Sequence, residues 1–144
     1  MDGSVVGVFL PDRRTRWSRP LIMCRVPAGF PSPAEDYVEG RIDLNRDLIK
    51  HPLSTFYIRV SGDSMVGAGI MPGALLVVDR AVEALDGHVV VARINDELCV
   101  KRLSICDDGR VWLLSENEQY RPIEIKEEMD FEVWGRVLYS ISSH

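Results

Sequence analysis

The sequence predicts a mainly β protein: a mostly antiparallel β domain with one short helix, preceded by an extended basic arm. Three observations predict it. Short runs of β-branched and aromatic residues recur from residue 55 onward, Gly, Asp and Pro turns separate them, and a proline-rich break sets off the first 28 residues. At 144 residues, 46% hydrophobic and 27% charged, the chain has the size and balance of one globular domain with a tail.

The arm differs from the body in charge. Arg13, Arg14, Arg16, Arg19 and Arg25 against Asp2 and Asp12 give residues 1–28 a net charge of +3, leaving −8 for residues 29–144 in a chain whose total is −5. An acidic body is a poor reader of DNA, because neutralising phosphates takes clustered Lys and Arg. The arm could touch nucleic acid, but lying on the acidic body is the simpler account of its charge. The apolar stretch Val5 to Leu10 precedes the arginines rather than following them, a poor secretory signal. No apolar run approaches the ~20 residues that span a bilayer. No membrane association and a cytoplasmic location are the expectation.

Arm and body meet at Val26-Pro27-Ala28-Gly29-Phe30-Pro31-Ser32-Pro33. Three prolines and a glycine hold this backbone extended and bar a continuous helix. A protease cleft prefers such a segment, although composition alone favours an ordinary linker. Leu44 and Leu48, four apart, with Asp43 as N-cap and His51-Pro52 as the stop, predict a short helix over 42–49. Strands are predicted at 55–60, 74–79, 88–94, 97–103, 110–114 and 131–139. Asn95-Asp96 is a tight two-residue connection that makes a hairpin of the third and fourth of these.

Cys24, Cys99 and Cys106 form no CxxC, and His51, His88 and His144 are scattered, so free thiols and no metal or other cofactor are expected. Ser64 lies just after a predicted strand in Val60-Ser61-Gly62-Asp63-Ser64-Met65, where the N–H groups of Asp63 and Ser64 could face a developing oxyanion. Serine beside glycine is also an ordinary turn residue. A nucleophilic serine needs a base, and no histidine has a suggestive context. Lysine can serve when desolvation keeps it neutral. Of three lysines, Lys50 follows the helix and Lys126 lies among Glu124, Glu127 and Glu128, whereas strand alternation gives Lys101 the apolar neighbours Cys99 and Leu103. Bringing its pKa from ~10.4 to near 7 costs about 4–5 kcal/mol of stability. The competing account is a solvent-facing edge lysine that discourages aggregation.

The segments Gly29-Phe30-Pro31-Ser32-Pro33-Ala34, Asp36-Tyr37-Val38-Glu39, Arg41-Ile42-Asp43-Leu44-Asn45, Ser61-Gly62-Asp63-Ser64-Met65 and Val100-Lys101 appear in order. They closely resemble the UmuD-like accessory subunits of DNA polymerase V, within the LexA/UmuD family of self-cleaving serine–lysine peptidases. The resemblance covers roughly residues 26–139. It implies a compact, highly curved antiparallel β domain of the LexA/UmuD/signal-peptidase type that forms a homodimer. Ser64 falls on the nucleophile, Lys101 on the general base, and Ala28-Gly29 on the scissile bond, which divides a cleavable arm, 1–28, from a peptidase domain, 29–144. The implied activator is a RecA filament on single-stranded DNA, and the implied partner of the product is a UmuC-type Y-family polymerase in the SOS response. Residues 1–25 match the UmuD arm poorly and are richer in arginine, and Pro27 removes one N–H from the substrate strand.

A LexA-like repressor needs a helix-turn-helix before the cut, and 28 residues broken by Pro11 and Pro20 are too few. A signal peptidase needs a membrane anchor. The alternative from another class is a non-enzymatic polymerase-binding subunit with a vestigial dyad.

Overall fold

The computed structural model describes residues 3–12, 18–22 and 38–144. In chain order its elements are β1 (Val5–Phe9), β2 (Ser18–Ile22), β3 (Val38–Asp43), α1 (Leu44–Leu48), β4 (Thr55–Val60), β5 (Leu75–Asp79), β6 (Val89–Ile94), β7 (Glu97–Ile105), β8 (Val111–Leu114), β9 (Ile123–Ile125) and β10 (Phe131–Ile141). By packing they fall into two units, Asp12–Lys50 and a larger one made of Met1–Pro11 with His51–His144.

In the smaller unit β2 pairs antiparallel with β3, and β3 runs directly into α1. Asp43 caps the helix as predicted, its carboxylate accepting from the Asn45 N–H at 3.0 Å while Asp47 accepts from the Asp43 N–H at 2.8 Å. The helix is shorter than the predicted 42–49 because residues 42 and 43 end a strand. Ala28, Gly29 and Cys24 lie outside the described residues.

The larger unit is an eight-stranded antiparallel sheet in the order β1-β4-β5-β10-β6-β7-β8-β9, curled into a half-barrel. The predicted mainly β fold class is thus the observed one. The hairpin at Asn95-Asp96 forms with Ile94 opposite Glu97, and Asn95 takes a φ of 53°, which suits a tight two-residue turn. The last strand in sequence is not last in space: β10 lies between β5 and β6, with a register shift on each side, between Val137 and Tyr139 and between Val133 and Gly135. Such shifts bend a strand and increase its twist, which helps the sheet curl. No helix among the described residues is long and apolar enough to cross a membrane.

Alternation in these strands builds two apolar clusters. Ile58, Val60, Met65, Leu76, Val78, Val91 and Val100 form one, and Val90, Ala92, Cys99, Leu103 and Leu113 form the other. Each Val, Leu, Ile or Met side chain among them contributes roughly 1.5–3 kcal/mol when fully buried. Neighbours in β7 therefore serve different clusters, and Lys101 shares its face with Cys99 and Leu103.

Candidate active site

β4 ends at Val60, and Ser61-Gly62-Asp63-Ser64-Met65 turns the chain into a single 3-10 turn, Val66–Ala68. Gly62 adopts a φ of 79° in this bend. Met65 is buried in the first cluster and anchors the turn from below. Ser64 is fully buried, and its Oγ has no hydrogen-bond partner among the described residues. A buried hydroxyl left unpaired costs about 1–3 kcal/mol, so the fold carries this group at a price in stability. Neither the Asp63 nor the Ser64 N–H donates to a backbone acceptor among the described residues.

Lys101 is only 2% exposed. Strand alternation points it between Cys99 and Leu103, and it stands opposite Val90 of β6. Burial pushes the Cys99 thiol up. The Lys101 Nζ donates to the Ser115 Oγ at 2.8 Å and lies 5.3 Å from the centre of the Tyr120 ring. No sequence signal singled out Ser115 or Tyr120. They belong to a loop after β8 that reads as an ordinary turn, and they meet their partners across long stretches of chain.

That loop also holds the serine segment. The Tyr120 hydroxyl donates to the Asp63 carboxylate at 2.5 Å, and the Asn117 side-chain amide donates to the Asp63 carbonyl at 3.0 Å. The Gly67 N–H donates to the Glu116 carbonyl at 2.8 Å, an approach so close that a Cβ on Gly67 would sit 2.5 Å from that oxygen. Arg102, next to Lys101, donates to the Glu116 carboxylate at 2.5 Å and to the Gly87 carbonyl at 2.6 Å. One loop thus touches the lysine through Ser115 and Tyr120 and the serine turn through Glu116, Asn117 and Tyr120.

Ser64 also lies beside the peptide that joins Val100 to Lys101. A Cβ built on Gly3 would be 2.6 Å from the Ser64 Oγ and 3.1 Å from the Val100 carbonyl oxygen, so both surround one point. The site therefore holds a buried hydroxyl and a buried amine tied to a common loop, and no hydrogen bond joins Ser64 Oγ to Lys101 Nζ, which donates to Ser115 instead. An amine can take the proton of an alcohol once the two groups come within hydrogen-bond reach. His51 plays no part here. It binds the buried Asp79 at 2.6 Å through Nδ1, and Asp79 also accepts from Ser54 Oγ and the Ala81 N–H, both at 2.8 Å. Burial pushes the Asp79 carboxyl up, but His51, Ala81 and Ser54 together outweigh it and hold the group below the usual carboxylate range.

Comparison with known proteins places the chain. The family described as Peptidase S24-like matches residues 20–138. Protein ImpA of Escherichia coli is 42% identical over 113 residues, 78% of this chain and 78% of its own. Protein MucA of Escherichia coli is 38% identical over 128 residues, 88% of this chain and 86% of its own. LexA repressor 1 of Pseudomonas syringae pv. tomato is 38% identical over 125 residues, 85% of this chain but 61% of the repressor. A family match over most of the length, with UmuD-like relatives at this identity, makes the chain a member of the Peptidase S24-like family of serine peptidases.

Proposed function

We propose that this protein cuts its own Ala28-Gly29 bond, with Ser64 as nucleophile and Lys101 as general base, releasing arm 1–28 from body 29–144. The observation that carries this reading is a lysine 2% exposed and a buried, unpaired serine hydroxyl held by one common loop, in a chain of a serine peptidase family. Burial disfavours the ammonium form and so favours the neutral amine that a base requires. The neutral amine still donates to Ser115, which orients its lone pair.

In the reaction, Lys101 Nζ takes the Ser64 proton as Oγ attacks the Ala28 carbonyl carbon. The carbonyl oxygen becomes an oxyanion, met by the N–H groups of Asp63 and Ser64. The tetrahedral species collapses, the Ala28–Gly29 C–N bond breaks, and the lysine proton passes to the departing Gly29 amine. An ester between Ala28 and Ser64 remains. Water attacks it with Lys101 again as base, restoring the free serine and the carboxylate of Ala28.

Under the same proposal the activator is RecA on single-stranded DNA, and the shortened homodimer joins a UmuC-type translesion polymerase. UmuD-like relatives support this SOS role. The test is incubation of the pure chain at pH 10, and separately with RecA, ATP and single-stranded DNA. A new amino terminus at Gly29, lost in Ser64→Ala and in Lys101→Ala, supports the proposal. An intact chain under both conditions overturns it in favour of a binding subunit.

A further inference from the structure

Residues 3–5 occupy a slot over Ser64. The Gly3 carbonyl accepts from the Val100 N–H at 3.1 Å, and the next carbonyl, Ser4, accepts from the Ser61 N–H at 2.9 Å. Successive carbonyls thus bond to opposite sides, as in a strand threaded between two others. One side is the end of β4. The other is β7, which pairs with β8 only from Arg102 to Ile105 and so leaves the edge before Lys101 open to another strand. Ser4 bridges to Cys99 on that edge, and from Val5 onward the segment continues as β1, pairing with β4 as far as Phe9 opposite Tyr57. Beside it the slot widens into an open cavity of about 420 Å³ lined by Ser4, Val5, Glu97, Leu98 and Cys99.

The residue over the nucleophile is one that a side chain would exclude. Gly3 has a φ of 101°, a conformation that L side chains rarely adopt, and a Cβ there would lie 2.6 Å from the Ser64 Oγ. The unpaired Ser64 Oγ is therefore covered by bare backbone that offers it no hydrogen bond.

We infer that the slot between Ser61 and the open edge of β7 is a binding site for one extended peptide strand with a glycine against Ser64, and that residues 3–5 are its resident ligand. Two strands cannot share the same Ser61 and Val100 donors, so the Ala28-Gly29 segment enters only when the resident strand leaves. The glycine at the proposed cut and the glycine at position 3 answer the same steric demand. This inference relies on the proposed self-cleavage for its consequence, but not for the binding itself.

The test uses the full chain carrying Ser64→Ala, so that nothing is cut, and Gly29→Val, so that its own cleavage segment is kept out of the slot, with a synthetic peptide of residues 25–34 as probe. Its dissociation constant is measured together with hydrogen exchange at the Ser61 and Val100 amides, with and without Gly3→Val. A slot filled by its resident strand nine parts in ten weakens a competitor about ten-fold. Gly3→Val is therefore expected to bind the peptide about ten-fold more tightly, to expose both amides to exchange, and to protect them again when peptide is added. Deletion of residues 2–9 is expected to do the same. Equal peptide affinity in parent and variants, or amides that exchange freely in the parent, overturns the inference. If the peptide result holds while the Ser64-containing chains never cut themselves, the slot stands and the peptidase assignment falls.

Discussion

Replacing Lys101 by methionine removes the amine and keeps an unbranched side chain of similar length. Lys101 is 2% exposed among Cys99, Leu103 and Val90. A neutral lysine in the folded state must give up, on folding at pH 7, a proton that the unfolded chain holds with a pKa near 10.4, which costs about 4–5 kcal/mol. The Tyr120 ring at 5.3 Å would favour the cation, but such contacts contribute only about 0.5–2 kcal/mol, less than the desolvation they oppose. Methionine escapes the proton cost but leaves Ser115 Oγ without its donor, a loss of about 1–3 kcal/mol at most. A net stabilisation of about 1–4 kcal/mol at pH 7 is expected. In the folded state a depressed lysine pKa means fewer bound protons than in the unfolded chain, so the stability of the parent rises with pH up to about 10.4. At pH 10 the proton cost falls below about 1 kcal/mol, so the advantage of methionine should vanish or reverse. The assay is urea unfolding of Lys101→Met and parent at both pH values, each carrying Ser64→Ala to prevent cutting. A difference independent of pH, or a less stable methionine variant at pH 7, would refute the reasoning.

Three further outcomes follow from the same contacts. Ser115→Ala removes the 2.8 Å contact that helps aim Lys101 Nζ, and misplacement of about 1 Å can cost about a hundred-fold, so self-cleavage at pH 10 should slow by about 10–100-fold while Ser115→Thr restores most of it. Asp79 is held below the carboxylate range, so its contribution to stability is complete above the unfolded pKa near 3.9 and is lost as pH falls through its folded value; His51→Ala should move the acid-unfolding midpoint, followed by circular dichroism, to higher pH. Cys99 is 1% exposed with a raised pKa, so iodoacetamide at pH 8 should label Cys106 well before Cys99, as read by peptide mass.

The central strands were legible in the sequence because each is a β-rich run closed by a strong turn signal, as at Asn95-Asp96 and Pro72-Gly73. The strands that escaped have physical reasons to do so. β2 contains Pro20, which argues against a central strand, and β9 is only three residues long. β1 reads as an isolated apolar stretch, because its partner β4 lies some fifty residues away. Strand alternation placed Lys101 on an apolar face, and its burial agrees with that. Periodicity could not reach Ser115, Tyr120 or Gly3, whose roles arise only where distant loops converge. Tyr120 finds Asp63 across 57 positions of the chain, and Gly3 finds Ser64 across a similar gap.

The most direct measurement is the rate of self-cleavage without activator between pH 7 and pH 10, followed by the appearance of the Gly29 amino terminus. A general base that must first shed its proton becomes more populated as pH rises, so the account expects the rate to climb across this range and to vanish in Lys101→Ala. A flat or falling profile, or undiminished cutting in Lys101→Ala, would contradict it.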